Sequence, residues 1–175
     1  MSEASSPLSA VIDRYERPLL LYAARIVGDL ERARDVVQES FLRLIRERPA
    51  REEALLRAWL YTVCRNLALD ELRKERTVRN VKASGALERR EADPSPRELL
   101  EERETTSALL EVLSTLPESQ QEVIRLRFQA GLSYREISEI TKHSISNVGY
   151  LLHVAIKALR LRLTERDALG AGGQR

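Results

Sequence analysis

One cysteine, Cys64, stands among the 175 residues, which excludes an intramolecular disulfide and any zinc site built on several thiolates. Histidine is nearly as scarce: His143 and His153 are the only two, and no third ligand stands at a sensible spacing from them. Seven glycines, six prolines and 5% aromatic residues are too few for a turn-rich sheet protein, and neither a glycine-rich phosphate loop nor a nucleophile elbow occurs. No charge sign dominates: 29 Lys and Arg nearly balance 27 Asp and Glu, leaving +2, so nucleic-acid binding would have to come from local patches. No apolar run approaches the roughly 20 residues of a membrane span. Met1 to Ala10 lacks the basic start and apolar stretch of a signal peptide. These absences predict a soluble, cytoplasmic protein with no membrane span, no cofactor, no bound metal and no catalytic centre.

What is present is helical material. The chain is 43% hydrophobic and 32% charged, rich in Leu and Arg, and patterned with helical periodicity, so the predicted class is all-α. Single cores become marginal below roughly 60 residues, so the length accommodates two small helical domains joined by a flexible linker. The pattern places one domain at 1–76 and a linker at 77–104, where periodicity fades into charges, Ser84-Gly85 and the breaker run Asp93-Pro94-Ser95-Pro96. A second domain follows at 105–166. Residues 167–175, ending in Gly170-Ala171-Gly172-Gly173-Gln174-Arg175, are expected to form a disordered tail.

Three helices are predicted in the first domain, at Leu8 to Val27, Leu30 to Arg48 and Leu55 to Glu75, with Asp29 capping the second and Pro49 ending it. The second domain reads as four: Arg103 to Leu116, Pro117 to Ala130, a short helix ending near Thr141, and a longer one from Ile145 to Leu163. Pro117 suits a first helical turn, Gly131 a C-terminal stop, and Ser133-Tyr134-Arg135-Glu136 a capping box. A short helix, the turn Lys142-His143-Ser144 and a longer helix have the spacing of a helix-turn-helix.

Each helix has two faces. In the second, Ala33, Val37, Phe41, Leu44 and Ile45 form the predicted core stripe, leaving Asp35, Gln38, Glu39, Leu42, Arg43 and Arg46 on the opposite surface. Periodicity alone makes that surface a solvated face with pairs such as Glu39–Arg43. In the third, Leu56, Leu60, Val63 and Leu67 point inward and Trp59, Asn66, Asp70 and Arg73 lie on a neighbouring face; Cys64 reads as a packing residue. In the last, Val148, Leu152, Ala155 and Leu159 point inward, offering Ser146, Asn147, Tyr150, His153 and Lys157 outward.

The string Asp35-Val36-Val37-Gln38-Glu39-Ser40-Phe41 resembles the Asp-x-x-Gln-Glu-x-Phe signature of sigma region two. Trp59-Leu60 followed by Asn66 resembles that region's minus-ten recognition helix. Leu116-Pro117-Glu118, Val123 to Phe128 and Gly131 to Ile140 succeed one another as in sigma region four. The chain thus resembles the bacterial extracytoplasmic-function sigma factors over nearly everything except the linker and tail. The resemblance implies a non-enzymatic subunit that binds core RNA polymerase and directs promoter recognition, DNA melting and transcription initiation. It implies polymerase contacts at Asp35, Gln38, Glu39 and Leu42. It implies capture of the minus-ten strand by Trp59 and Asn66, with Arg43 and Arg65 as neighbours and Arg73, Lys74 and Arg76 on phosphates. For minus-thirty-five duplex DNA, Ser146, Asn147 and Tyr150 are expected at base edges or nearby backbone, His153 on the same face, and Arg135, Lys157 and Arg160 at phosphates. The family also implies regulation by an anti-sigma factor.

Two stretches depart from the pattern. Arg48 to Ala54 replaces the aromatic- and Gly-containing loop that ordinarily selects the captured base, and Gly149-Tyr150-Leu151 stands where relatives often carry Lys-Ser-Arg. An alternative from another class is a free-standing helix-turn-helix regulator, which would bind palindromic DNA tightly without polymerase. A third is an adaptor that binds polymerase alone.

Overall fold

The computed structural model describes residues 7–47, 52–82 and 104–171, with side chains over 8–47, 52–75, 77 and 109–165. The described elements are seven helices: α1 (Pro7–Val27), α2 (Leu30–Glu47), α3 (Glu53–Lys82), α4 (Glu104–Ser114), α5 (Glu118–Phe128), α6 (Tyr134–Thr141) and α7 (Ile145–Ala171). They fall into two compact units, α1–α3 and α4–α7. Most of the expected linker, 83–103, and the last four residues of the tail lie outside the described residues. Among the described residues no helix is long and apolar enough to cross a membrane.

In the first unit all three helices pack on one another. α1 contributes Tyr15, Leu19, Tyr22, Ala23, Ala24 and Val27 to the core. It continues through Pro18, an exposed position that forfeits one backbone bond, and the apolar stripe on either side of it offsets that loss. Gly28, at φ +73°, breaks the helix, and its N–H closes the last turn on the Ala24 carbonyl at 2.9 Å. Asp29 caps α2 as expected, its Oδ1 accepting from the Arg32 N–H at 2.8 Å. Across the core, the Tyr22 and Tyr61 rings meet edge-on with centroids 5.3 Å apart.

α3 is longer at both ends than its hydrophobic pattern suggested. No glycine or proline stands between Arg51 and Ser84, so nothing in the backbone stops the helix where its buried stripe ends. Its inward stripe is also rotated from the predicted one. Leu60, Tyr61, Cys64 and Ala68 are buried, whereas Leu56, Val63 and Leu67 are only half-buried along the edge.

In the second unit, α7 packs against α4, α5 and α6. Pro117 caps α5 from outside the helix, and the Gln121 amide ties the α4–α5 turn by donating to the Leu116 carbonyl at 2.7 Å. Gly131, at φ +67°, reverses the chain after α5, bringing the Leu132 N–H to the Leu126 carbonyl at 3.0 Å. The capping box closes on both sides: Ser133 N–H donates to Glu136 Oε2 at 2.7 Å, and Glu136 N–H to Ser133 Oγ at 3.3 Å. α7 runs past its predicted end at Leu163, because the sequence stays free of breakers until Gly170.

Two expectations follow. Ser133→Ala removes half of the capping box and lowers the stability of the second unit by about 1 kcal/mol. Trp59 is the only tryptophan and belongs to the first unit. Far-UV circular dichroism in urea should therefore show the loss, while the Trp59 fluorescence transition stays in place.

The second concerns Cys64, which is 0% exposed, with its thiol directed at the Leu19 carbonyl 3.9 Å away. Burial pushes this thiol up to about 12, against a smaller opposing pull from Ser40. Burial likewise raises the Tyr61 phenol to about 12, with Cys64 and Tyr15 adding to the shift and Arg57 opposing it. The folded chain therefore keeps protons that the unfolded chain releases above ordinary values of 9.0 and 10.0, so stability falls as pH rises from there toward about 12. Urea midpoints read by Trp59 should drop between about pH 8 and pH 10.5, and less steeply in Cys64→Ala. Equal slopes would show that Cys64 carries none of the effect.

Candidate functional site

Three exposed helix faces gather the residues singled out from sequence. On α2 the buried stripe is Ala33, Val36, Val37, Ser40, Phe41 and Leu44. Ser40 fits there because its Oγ donates to the Val36 carbonyl at 2.7 Å, which satisfies the hydroxyl inside the helix. Ile45, expected in the core, is instead 45% exposed, because the six residues that do turn inward leave it one step off their stripe. It joins Asp35, Gln38 and Leu42 on the outward face at three- and four-residue steps, Leu42 being 43% exposed. Glu39 stands at the border of this face, 3.4 Å from Arg43 Nε and 3.6 Å from Arg46 Nη1. Exposed pairs of this kind stabilise a helix by only about 0.3–0.5 kcal/mol, so their groups remain available to a partner.

On α3 the burial of Leu60, Tyr61, Cys64 and Ala68 turns Trp59, Asn66, Asp70 and Arg73 outward in one line. At 1.5 Å per residue that line is about 21 Å long. Trp59 is half-buried, Asn66 exposed, and Arg73 Nη1 meets Asp70 Oδ1 at 2.6 Å across exposed surface. Lys74 lies 3.7 Å from Glu71, and Arg65 is half-buried on a different side of the helix from Asn66. Arg76 belongs to α3, but its side chain lies outside the described residues, as does loop 48–51. A mostly buried ion pair, Arg32 Nη1 to Glu75 Oε2 at 2.6 Å, ties the start of α2 to the distal part of α3.

The third face belongs to α6, the turn and α7. Lys142 ends α6 in the left-handed conformation at φ 64°, which costs a non-glycine residue roughly 1 kcal/mol. Hydroxyls on α6 hold it there: Ser138 Oγ donates to the His143 carbonyl at 2.6 Å, and Thr141 Oγ1 accepts from the His143 N–H at 3.4 Å. Ser144 then caps α7 by accepting from the Asn147 N–H at 3.1 Å. Val148, Leu152, Ala155 and Leu159 are buried as predicted, and Ser146, Asn147, Tyr150, His153, Lys157 and Arg160 are all exposed. Arg135 is exposed on α6, 3.4 Å from Glu139.

Ile45 was expected inward and lies on the outward face of α2, just as Leu56, Val63 and Leu67 were expected in the core and lie along the edge of α3. The signal for Ile45 was available, since it stands three residues from Leu42 and seven from Gln38. The aromatic support behind α7 was not anticipated either: Arg127 lies over the Tyr134 ring at 5.6 Å. Among the described residues no group of three His, Cys, Asp or Glu side chains could hold a metal ion.

Comparison with known proteins agrees with these elements. Residues 11–78 match Sigma-70 region 2 and residues 106–159 match Sigma-70, region 4. The chain is similar to the ECF RNA polymerase sigma factor SigL of Mycobacterium tuberculosis, at 32% identity over 90% of this chain and 89% of that one. It is also similar to the RNA polymerase sigma factor SigV of Bacillus subtilis, at 28% identity over 91% and 93% of the two chains. Among solved structures, the sigma factor RpoE of Bartonella quintana, in complex with the anti-sigma factor NepR, has the same fold. Its TM-score is 0.66 at 20% identity, over 89% of this chain and 96% of that one. A match running through α1–α3 as well as the helix-turn-helix decides against the free-standing regulator. The chain belongs to the ECF RNA polymerase sigma factors of the sigma-70 family, with regions 2 and 4, non-enzymatic proteins that direct RNA polymerase in promoter recognition and initiation.

Proposed function

We propose that the three faces divide the work of initiation: α2 docks on core polymerase, α3 captures the opened minus-ten strand, and α7 enters the major groove at minus thirty-five. The observation that carries the reading is the outward stripe Asp35, Gln38, Leu42 and Ile45 on α2, within region 2. It combines hydrogen-bonding groups with exposed apolar surface that water solvates poorly. A basic coiled coil on the largest polymerase subunit complements it: carboxylate and amide groups fix register, and Leu42 and Ile45 gain by leaving water.

On α3, an exposed amide at Asn66 beside the half-buried Trp59 suits a base that has left the stack. The amide offers both donor and acceptor to a Watson–Crick edge, and Arg73, Lys74 and Arg76 supply charge for the strand's phosphates; Arg43 is a neighbour of the captured base, whereas Arg65, on a different side of α3, is less well placed for that part. On α7, Ser146, Asn147 and Tyr150 precede His153, Lys157 and Arg160, so base-reading groups come before backbone-gripping ones, with Arg135 on α6 as a further phosphate contact. DNA melting follows from holding one strand of the minus-ten duplex in this way. We place the protein in the cytoplasm, where its polymerase works. We also propose an anti-sigma factor as its regulator, by analogy with RpoE; covering the α2 stripe would block polymerase and silence the chain.

Purified protein should co-elute with bacterial core RNA polymerase at micromolar concentration. Asp35→Ala/Gln38→Ala should weaken this at least tenfold without moving the Trp59 unfolding transition, since both positions are exposed; undiminished co-elution would take docking off α2. Asn66→Ala should leave polymerase binding intact but lower the yield of open promoter about tenfold, read as permanganate reactivity of unpaired thymines. Normal opening in that variant would remove Asn66 from strand capture.

A further inference from the structure

Residues 145–156, the first three turns of α7, contain no Lys or Arg; the first fixed positive charge on the helix is Lys157. Guanine is read in the major groove most often by a bidentate Arg or Lys on O6 and N7, and these turns offer neither. What they offer outward, at steps of four and three residues, is Ser146, Tyr150 and His153, with Asn147 beside Ser146 and Lys157 four residues beyond His153. Tyr150 stands near the middle of that stripe and is 65% exposed. Its neighbour Gly149 leaves the adjacent flank to α6, where Tyr134 comes within 3.6 Å of the position a Cβ would occupy. Tyr134 is itself held under Arg127, whose Nη1 donates to the Leu132 carbonyl at 2.9 Å. α7 packs against α6 on this flank, and Tyr150 projects from it with most of its surface uncovered.

A rigid, exposed ring is poorly solvated, and the 5-methyl group of thymine is the one apolar feature on a base-pair edge of the major groove. We propose that Tyr150 is a specificity-determining residue that selects thymine by packing its ring on this methyl group. The inference rests on α7 being the major-groove helix. The contact discriminates because a base without the methyl leaves the ring against water, whereas the hydroxyl of Tyr150 serves either case equally.

The test uses holoenzyme assembled from the full chain and bacterial core polymerase, on duplexes selected from a library with a randomised upstream element. Each thymine of the selected element is then replaced singly by deoxyuridine, which pairs identically but lacks the methyl. One replacement should cost wild type about fourfold in affinity, the worth of one buried methyl-sized group. Tyr150→Ser should bind the thymine and deoxyuridine forms equally, and Tyr150→Phe should still discriminate. Equal binding of both forms by wild type at every thymine, or loss of discrimination in Tyr150→Phe, overturns the inference and leaves the major-groove reading standing. An element selected with no base preference, together with unchanged affinity in Lys157→Ala, overturns both.

Discussion

The burial of small side chains between the helices of the first unit decides which residues face outward. Cys64 and Ala68 of α3, Ala23 and Ala24 of α1 and Ala33 and Ser40 of α2 are all essentially removed from water, and the Cys64 sulfur reaches the Leu19 carbonyl itself. Small residues let helix backbones approach, and close-packed interiors leave little freedom to rotate a helix about its axis. A rotation of α3 by one residue, about 100°, would drive Val63 and Leu67 into space that holds only the Cys64 thiol and the Ala68 methyl group. Overpacking of that kind costs roughly 1–3 kcal/mol per site, a large share of a small domain's stability. The line Trp59, Asn66, Asp70 and Arg73 is presented outward because the opposite side of the same helix fits nowhere else.

The second unit meets the same need with polar groups rather than with small ones. Its recognition helix must leave α6 at a fixed angle through three residues, one of them the left-handed Lys142. That conformation persists because Ser138 and Thr141 hold the backbone of His143, and Ser144 accepts the Asn147 N–H in the first turn of α7. Each bond contributes only about 1 kcal/mol net, but their directions restrict the turn to one geometry. The four apolar residues of α7, from Val148 to Leu159, then fix its rotation. Rigid presentation matters for reading DNA, because a side chain that orders on binding gives up part of the contact energy as entropy.

How much of this was legible depended on which signals are local. The capping box, the Asp29 cap, the turn and the stripe on α7 are each specified by a few adjacent residues, and they stand where the sequence placed them. Side assignment on α2 and α3 is not local in that sense. A hydrophobicity argument seats the largest apolar residues inward, so it put Ile45 and Val63 in the core and gave Ser40 no place there, although Cys64 was rightly taken as packing. The structure seats small residues inward because helix separation, set by all three helices together, limits the volume available. The ends of α3 and α7 were misjudged for another reason: loss of a buried stripe marks the edge of packing, whereas a helix ends where its backbone is interrupted.

The near-neutral charge of the chain acquires a physical sense from these faces. Phosphate contacts supply most of the affinity of a DNA-binding protein, and each exposed Lys or Arg adds to sequence-independent binding as well. Here many candidate cations are shared with carboxylates, as in Arg73–Asp70, Lys74–Glu71 and Arg135–Glu139, and the first turns of α7 carry none. A net charge of only +2 gives such a chain little sequence-independent attraction to DNA from its overall field. In the proposed arrangement that weakness is useful, since polymerase supplies the nonspecific grip and holds both DNA-reading faces on one promoter. Two weak contacts then act at a high effective concentration, and their product, rather than either alone, sets promoter choice. Added charge on α7 would strengthen every site alike; an uncharged reading face spends its contacts on the difference between one base and another.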